Sequence, residues 1–317
     1  MKIVYMGTPE FAVPALEALS QSKHQIAAVV TGEDKPSGRG KKIQPTPVKL
    51  KAQELGLTII SPKSLNSDEL YERFKAIKPD LIVVIAFRIL PERLFELQKY
   101  GAVNIHGSLL PKYRGAAPIH WAIINGEKET GLTSFFLKKK VDTGDMILQE
   151  KTKIEDDDTY DSLSRRMSEM AGQFLLKTID LIESGKLTLS RQDDRRATPA
   201  PKLTAENCLV DFGFPASNVH NFIRGLSTRP GACTFFRDQK IKLYKSRLPE
   251  NGFNSAGNSG SIIPDKSRLL VQCSRAAIEL LEVVPEGRPA MDGRSFINGF
   301  RPQAGEMFGK TVKAVKG

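Results

Sequence analysis

The chain has 317 residues, 40% of them apolar and 26% charged, and carries a formal net charge of +11. That length is more than one hydrophobic core usually organises, so two domains are expected. No apolar run approaches the ~20 residues that span a bilayer, and the opening M-K-I-V-Y-M-G lacks the long apolar core of a secretory signal, so the chain reads as cytoplasmic.

In chain order, apolar runs alternate with helical periodicity. Ile3–Met6, Ile26–Thr31, Thr58–Ile60, Leu81–Phe87 and Ala102–His106 read as strands, and the fourth is continuous enough to be buried on both faces. Between them Phe11–Gln21, Val48–Leu55 and Asp68–Ile77 have helical spacing. Thr8 and Ser67 are candidate N-caps, and Pro9 and Pro47 suit first turns. This alternation predicts an α/β fold with a doubly wound, mostly parallel, Rossmann-like sheet. Thr133–Lys139 reads as a further strand and Thr159–Glu183 as a long helix. Residues 190–204 are polar, charged and Pro-containing, and read as a linker. Beyond them, Cys233–Phe236, Ile241–Tyr244, Ser261–Ile263, Leu269–Cys273 and Ile278–Val284 are short strand-like runs separated by turn residues, which predicts a small β-barrel with Asn251–Gly260 as a hairpin loop. The expected domains are therefore 1–189 and 205–317.

Three widely spaced cysteines, Cys208, Cys233 and Cys273, read as inert, partly buried thiols in a reducing compartment. The four histidines, His24, His106, His120 and His220, show no ligand spacing, so no metal is expected. Residues 205–317 hold sixteen Lys/Arg against ten Asp/Glu, and residues 1–204 hold thirty-one against twenty-six. That spread favours a folded basic face over a disordered arm, and a polyanion as its partner.

Open parallel sheets bind ligands at the carboxyl ends of their strands. The segment N-I-H-G-S-L-L-P-K-Y-R-G at 104–115 begins in a predicted strand and runs into its following loop. Asn104 and His106 stand two apart, so their side chains share one face. Asp142 lies in V-D-T-G-D, where Gly144 permits a sharp turn. An amide to stabilise an oxyanion, an imidazole to handle a proton and a carboxylate to orient it suffice for moving an acyl group onto an amine. Taken singly, His106 reads better as a satisfied structural histidine, and Asp142 reads equally well as a turn carboxylate. Other chemistries fit less well. G-T-P-E-F after the first strand is not a dinucleotide fingerprint, the loop at 31–47 lacks a P-loop's Gly-Lys-Ser/Thr, and G-S-L-L-P around Ser108 is not a nucleophile elbow. That 31–47 loop, with Lys35, Arg39, Lys41 and Lys42, has the composition of a solvated loop and the length of a binding loop.

Residues 104–119 (N-I-H-G-S-L-L-P-K-Y-R-G-A-A-P-I) and 141–147 (V-D-T-G-D-M-I) resemble the signatures of the folate-dependent formyltransferases. G-R-G-K-K-I-Q-P-T-P at 38–47, N-F-I-R-G-L-S-T-R-P-G-A-C at 221–233 and M-D-G-R-S-F-I-N-G-F at 291–300 resemble the branch acting on methionyl initiator tRNA. The resemblance covers nearly the whole chain. It implies that Asn104, His106 and Asp142 are the catalytic trio. The donor it implies is 10-formyltetrahydrofolate, held against Ser108, Leu109, Leu110 and Pro111 and the loop carrying Phe87, Arg88, Ile89 and Leu90. It further implies a smaller, OB-like C-terminal barrel and tRNA contacts from the loop carrying Lys35, Arg39, Lys41 and Lys42; Arg229, where the chain departs from the family, is expected to add a phosphate contact, and the chain is expected to be a monomer. Phe87-Arg88 replaces the family's usual Tyr-Gly after Ala86, and Ser227-Thr228-Arg229 stands before Pro230-Gly231 where the family tends to have Pro-x or Pro-Trp. The trio alone leaves open a small amine acceptor, such as an amino-sugar nucleotide or glycinamide ribonucleotide; the basic loop and second domain favour tRNA.

Overall fold

The structure, a computed structural model, describes residues 1–37, 42–250, 257–263, 265, 267–303 and 305–309. The chain forms two compact units. The first comprises Met1–Pro118, Glu129–Lys153 and Ser164–Ala200, and the second Ile119–Lys128, Ile154–Leu163 and Pro201–Gly317.

Elements of the first half are β1 (Lys2–Gly7), α1 (Val13–Ser20), β2 (Gln25–Val30), β3 (Lys35–Ser37), β4 (Lys42–Gln44), α2 (Pro47–Glu54), β5 (Ile59–Ile60), α3 (Asp68–Ile77), β6 (Leu81–Ile85), α4 (Glu92–Phe95), β7 (Ala102–His106) and β8 (Arg114–Gly115). They continue with α5 (Pro118–Ile124), β9 (Glu129–Phe136), β10 (Met146–Lys153), α6 (Tyr160–Ser184) and β11 (Pro199–Ala200). The main sheet of the first unit has the order β10-β9-β7-β6-β1-β2-β5. β5, β2, β1, β6 and β7 run parallel, and β9 and β10 add an antiparallel edge. The doubly wound α/β expectation is met. β6 (L-I-V-V-I) is buried at every position, as a central strand covered by helices on both faces requires. On one face Val4, Met6, Ala28, Val30, Ile82 and Val84 pack against Leu70 and Phe74 of α3.

Local signals explain most boundaries. Ser67 caps α3 by accepting from Leu70 N–H, and Thr46 caps α2 through Lys49 N–H with Pro47 at the first turn. Thr8 is not a cap: Pro9 occupies the N-cap of a single 3₁₀ turn with no side-chain cap, and the proline inside α1's first turn is Pro14. β6 stops at Ile85 rather than Phe87, because Ala86 adopts a left-handed φ of 48° and turns the chain out of the sheet. Part of the 31–47 loop is not irregular: β3 and β4 pair as an antiparallel hairpin. Its base is fastened by a buried hydroxyl pair, Thr31 Oγ1 and Thr46 Oγ1, 2.7 Å apart.

The second unit contains α7 (Ala216–Leu226), β12 (Ala232–Phe236), β13 (Gln239–Arg247), β14 (Ile262–Ile263), β15 (Leu269–Gln272), β16 (Ala277–Pro285), β17 (Met291–Asp292) and α8 (Gly293–Phe300). Its antiparallel sheet has the order β12-β13-β16-β15-β14, with β17 beside β16. Gly309 bridges to Phe235 on one edge and Met307 to Ser261 on the other, so one segment ties both edges and the sheet curls as a barrel. Ala216, Val219, Ile223 and Leu226 of α7 recur at helical spacing and enter its core with Phe212, Phe236, Phe296 and Phe308. The segments 119–128 and 154–163 join this unit for identifiable reasons. Buried Arg224 donates to the carbonyls of Glu155 at 3.2 Å and Asp158 at 2.7 Å, and His120 stacks on Tyr160 with centroids 3.6 Å apart. A Cβ on Gly225 would come within 2.8 Å of Ile124 Cγ1, so the close approach of α7 to α5 requires a glycine there. All three cysteines are free and buried, and burial pushes the Cys273 thiol up to about 12. Most of the expected hairpin loop, residues 251–256, lies outside the described residues. Among the described residues no helix is long and apolar enough to cross a membrane.

Candidate active site

All three residues of the amide–imidazole–carboxylate set belong to the first unit. Asn104 and His106 are carried by β7, with Asn104 opposite Phe135 and His106 opposite Thr133 of β9. Asn104 is partly exposed, and its side chain has no hydrogen-bond partner among the described residues. His106 is buried to 7% exposure. Its Nε2 lies 2.8 Å from the Tyr113 carbonyl, which can only accept, so Nε2 carries a proton. The other nitrogen, Nδ1, faces Asp142 Oδ2 at 3.9 Å. Asp142 is buried to the same extent as His106.

The loop carrying Asp142 is sharply bent. Asp142 itself has φ +53°, a left-handed conformation that costs a non-glycine residue about 1–2 kcal/mol. Gly144 follows because nothing larger fits: a Cβ there would lie 1.6 Å from the Phe136 carbonyl oxygen. The Gly115 N–H donates to Asp142 Oδ2 at 2.9 Å. Gly115 has φ +126°, and its Cβ would fall 2.5 Å from Ala200 O, where β11 runs parallel beside β8. The stretch 190–200, read as linker from its polarity, therefore forms a wall of this site. Thr198 Oγ1 accepts from Tyr113 N–H at 2.9 Å, and buried Gln192 donates to the carbonyls of Asp142 and Gly144, each at 2.9 Å.

The turn at 108–111 is held from beneath. Thr133 Oγ1 donates to Ser108 O at 2.6 Å and accepts from Leu110 N–H at 3.1 Å, while Gln149 Nε2 donates to Leu110 O at 2.9 Å. Ser108 and Leu110 are buried, and Leu109 and Pro111 are partly exposed. In the 87–90 loop, Leu90 belongs to the core behind the sheet, whereas Ile89 is 75% exposed. Arg88 turns away to donate to the carbonyls of Pro62 and Lys63, with its guanidinium over the Phe87 ring. Residues 87–90 make no main-chain hydrogen bond among the described residues. Unpaired main-chain groups beside exposed apolar side chains fit a flat heterocycle with donors and acceptors on its rim.

The expected polyanion contacts belong to both units. Lys35 is exposed on β3, Lys42 lies on β4, and Arg39 and Lys41 fall outside the described residues. Arg229 is exposed in the second unit, where its loop is tied down by Thr228 N–H donating to Asp161 Oδ2 at 2.8 Å. Sequence reasoning missed Gln192, Thr133, Gln149 and the Tyr113 carbonyl. Gln192 and Gln149 carry no periodic or motif signal, Thr133 opens a run read only as a strand, and Tyr113 and Arg114 lay inside the K-Y-R-G stretch without a role assigned.

Residues 1–179 match the formyl transferase family and residues 202–301 match its C-terminal domain, so the chain belongs to the formyl transferases. The methionyl-tRNA formyltransferase of Caldanaerobacter subterraneus subsp. tengcongensis is 42% identical over 301 residues, covering 94% of this chain and 97% of that protein. Its counterpart from Porphyromonas gingivalis is 41% identical over 309 residues, covering 95% and 96%. Two solved structures share the fold. An N-formyltransferase from Helicobacter canadensis, in complex with folinic acid and dTDP-3-aminofucose, has a TM-score of 0.68 at 20% identity, covering 88% of this chain and 98% of that one. A methionyl-tRNA formyltransferase from Clostridium thermocellum has a TM-score of 0.57 at 20% identity, covering 79% and 95%.

Proposed function

We propose that this chain transfers the formyl group of 10-formyltetrahydrofolate to the α-amino group of methionine esterified to initiator tRNA. The observation that carries the acceptor is the likeness to methionyl-tRNA formyltransferases at 41–42% identity through both units, since the site alone does not choose between amines. The work is cytoplasmic and belongs to translation initiation.

The chemistry follows from the site. The neutral methionyl amine attacks the formyl carbon, and negative charge develops on the formyl oxygen. Asn104 Nδ2–H and His106 Nε2–H are the donors for that oxygen; Nε2 donates to Tyr113 O here at 2.8 Å and exchanges this acceptor for the oxyanion. Asp142, opposite Nδ1, keeps the ring aligned. As the tetrahedral adduct collapses, the C–N bond to the folate breaks, its nitrogen takes up a proton and the amine loses one. The charge is carried by an amide and an imidazole, so no step calls for a metal. The folate's ring system lodges between the 87–90 loop and the 108–111 turn. Lys35, Arg39, Lys41, Lys42 and Arg229 contact tRNA phosphates, which are gripped by charge rather than sequence.

The test is a formylation assay with purified protein, 10-formyltetrahydrofolate and one of three acceptors: charged initiator tRNA, free methionine or an amino-sugar nucleotide. Formylation confined to the charged tRNA is expected. Turnover of the amino sugar in its place would move the chain to the small-amine branch.

A further inference from the structure

Gln192 is a buried amide, 7% exposed, whose every polar group meets a partner. Its Oε1 accepts from Arg114 Nε at 3.0 Å and Nη2 at 2.7 Å, and its Nε2 donates to Asp142 O and Gly144 O, both at 2.9 Å. A guanidinium can only donate and a carbonyl can only accept, so the amide has one possible orientation. Arg114 is in turn fixed by Asp194 Oδ1, 2.7 Å from Nη2. The segment bearing Gln192 is fastened at both ends. Ser190 and Met146 exchange main-chain hydrogen bonds of 2.8 and 3.0 Å, and Arg114 N–H donates to Thr198 O at 2.9 Å. Gln192 thus straddles the turn at Asp142, a non-glycine residue held at φ +53°, and grips the carbonyls on either side of Thr143.

We infer that Gln192, aimed by Arg114, is a positioning residue that holds the Asp142 carboxylate against His106. The two amide hydrogens lock the left-handed turn, and the turn sets where the carboxylate points. Asp142 Oδ2 then reaches both the Gly115 N–H at 2.9 Å and the His106 ring. Gln192 itself touches no reacting atom. The inference rests on Asp142 being a member of the trio.

Gln192→Glu separates the two halves of the clamp. The carboxylate still accepts from Arg114 but cannot donate to the two carbonyls, so the turn is released while the segment stays anchored. Formyl transfer to charged initiator tRNA is measured at saturating substrates, with KM for each, in wild type, Gln192→Glu, Asp142→Asn and the double variant. Loss of kcat by about ten- to hundredfold is expected for Gln192→Glu, with both KM values within about twofold of wild type. In the Asp142→Asn background the same change should cost less than about twofold, because its effect passes through a carboxylate already removed. An equal loss in both backgrounds, or a normal kcat, overturns the inference. Should Gln192→Glu not fold, Arg114→Lys takes its place: it keeps the charge beside Asp194 and loses the paired donors to Oε1, and the same non-additivity is required. A fully active Asp142→Asn would point elsewhere, removing Asp142 from the trio and this inference with it.

Discussion

His106, at the end of β7, and Asp142, in the loop between β9 and β10, are both buried and face each other across 3.9 Å, with the ring's far nitrogen already hydrogen-bonded to Tyr113. The imidazole is therefore oriented by groups on both sides, and Asn104, without a side-chain partner among the described residues, stands two residues back on the same face of β7.

Asn104→Ala, His106→Ala and Asp142→Ala should each lower single-turnover formyl transfer by about 10²–10³, the usual cost of losing an oxyanion donor or its support. Circular dichroism should show the fold intact. A variant that transfers at near the wild-type rate would remove its residue from the trio.

The basic residues expected to meet tRNA should act on the acceptor alone. Arg39→Ala and Lys41→Ala, together with Lys35→Ala and Arg229→Ala, should raise KM for charged tRNA. Each should also flatten the dependence of log affinity on log salt by about 0.7–0.9 for every phosphate left unneutralised. Folate binding, followed by fluorescence titration, should not change. A fall in folate affinity with tRNA binding preserved would reassign the loop.

The fold was legible wherever burial imposes a period. The continuous apolar run of β6, the short strand-like runs of the second unit with their turn residues and the Ser67 cap all leave a pattern in one short window of sequence. The pair Asn104–His106 was legible for the same reason, since two residues apart on a strand means one face. What the sequence hid was long-range. Gln192 is buried by its neighbours in space, so a polar stretch with prolines reads as linker although it lines the site. Likewise Arg224 binds carbonyls 66 and 69 residues away, a pairing that leaves no local trace. The hairpin of β3 and β4 sits in a Gly- and Pro-rich stretch whose composition suits a loop equally well.

Gly144→Ala tests the tightness of the Asp142 turn. A methyl 1.6 Å from the Phe136 carbonyl oxygen has to displace either the turn or β9. A destabilisation of about 3 kcal/mol is expected, the upper end of ordinary overpacking, with activity lost in whatever protein folds. Unchanged denaturant midpoint and turnover would mean that the turn is softer than its geometry implies.

Acid should loosen the second unit at an identifiable place. Glu306 opens the segment that ties the barrel's two edges, and both of its oxygens meet Arg237, each at 2.7 Å. The Arg237 hydrogen bonds, with the Gln303 N–H, hold its carboxyl down at about 2, against an ordinary 4.5. A carboxyl whose folded pKa is depressed stabilises the fold above its unfolded pKa and ceases to do so as pH falls through the folded one. The contribution of this pair is therefore whole above about 4.5 and gone below about 2. The chain's single tryptophan, Trp121, belongs to the second unit and donates to Pro201 O at 2.8 Å, so its fluorescence reports unfolding there. Wild type should exceed Glu306→Gln in denaturant midpoint by a margin that is constant near neutrality and closes between those two pH values. The margin should be modest, because the pair is partly exposed and solvent screens it. A margin that persists undiminished at the acid end would show that Glu306 acts through packing and not through its charge.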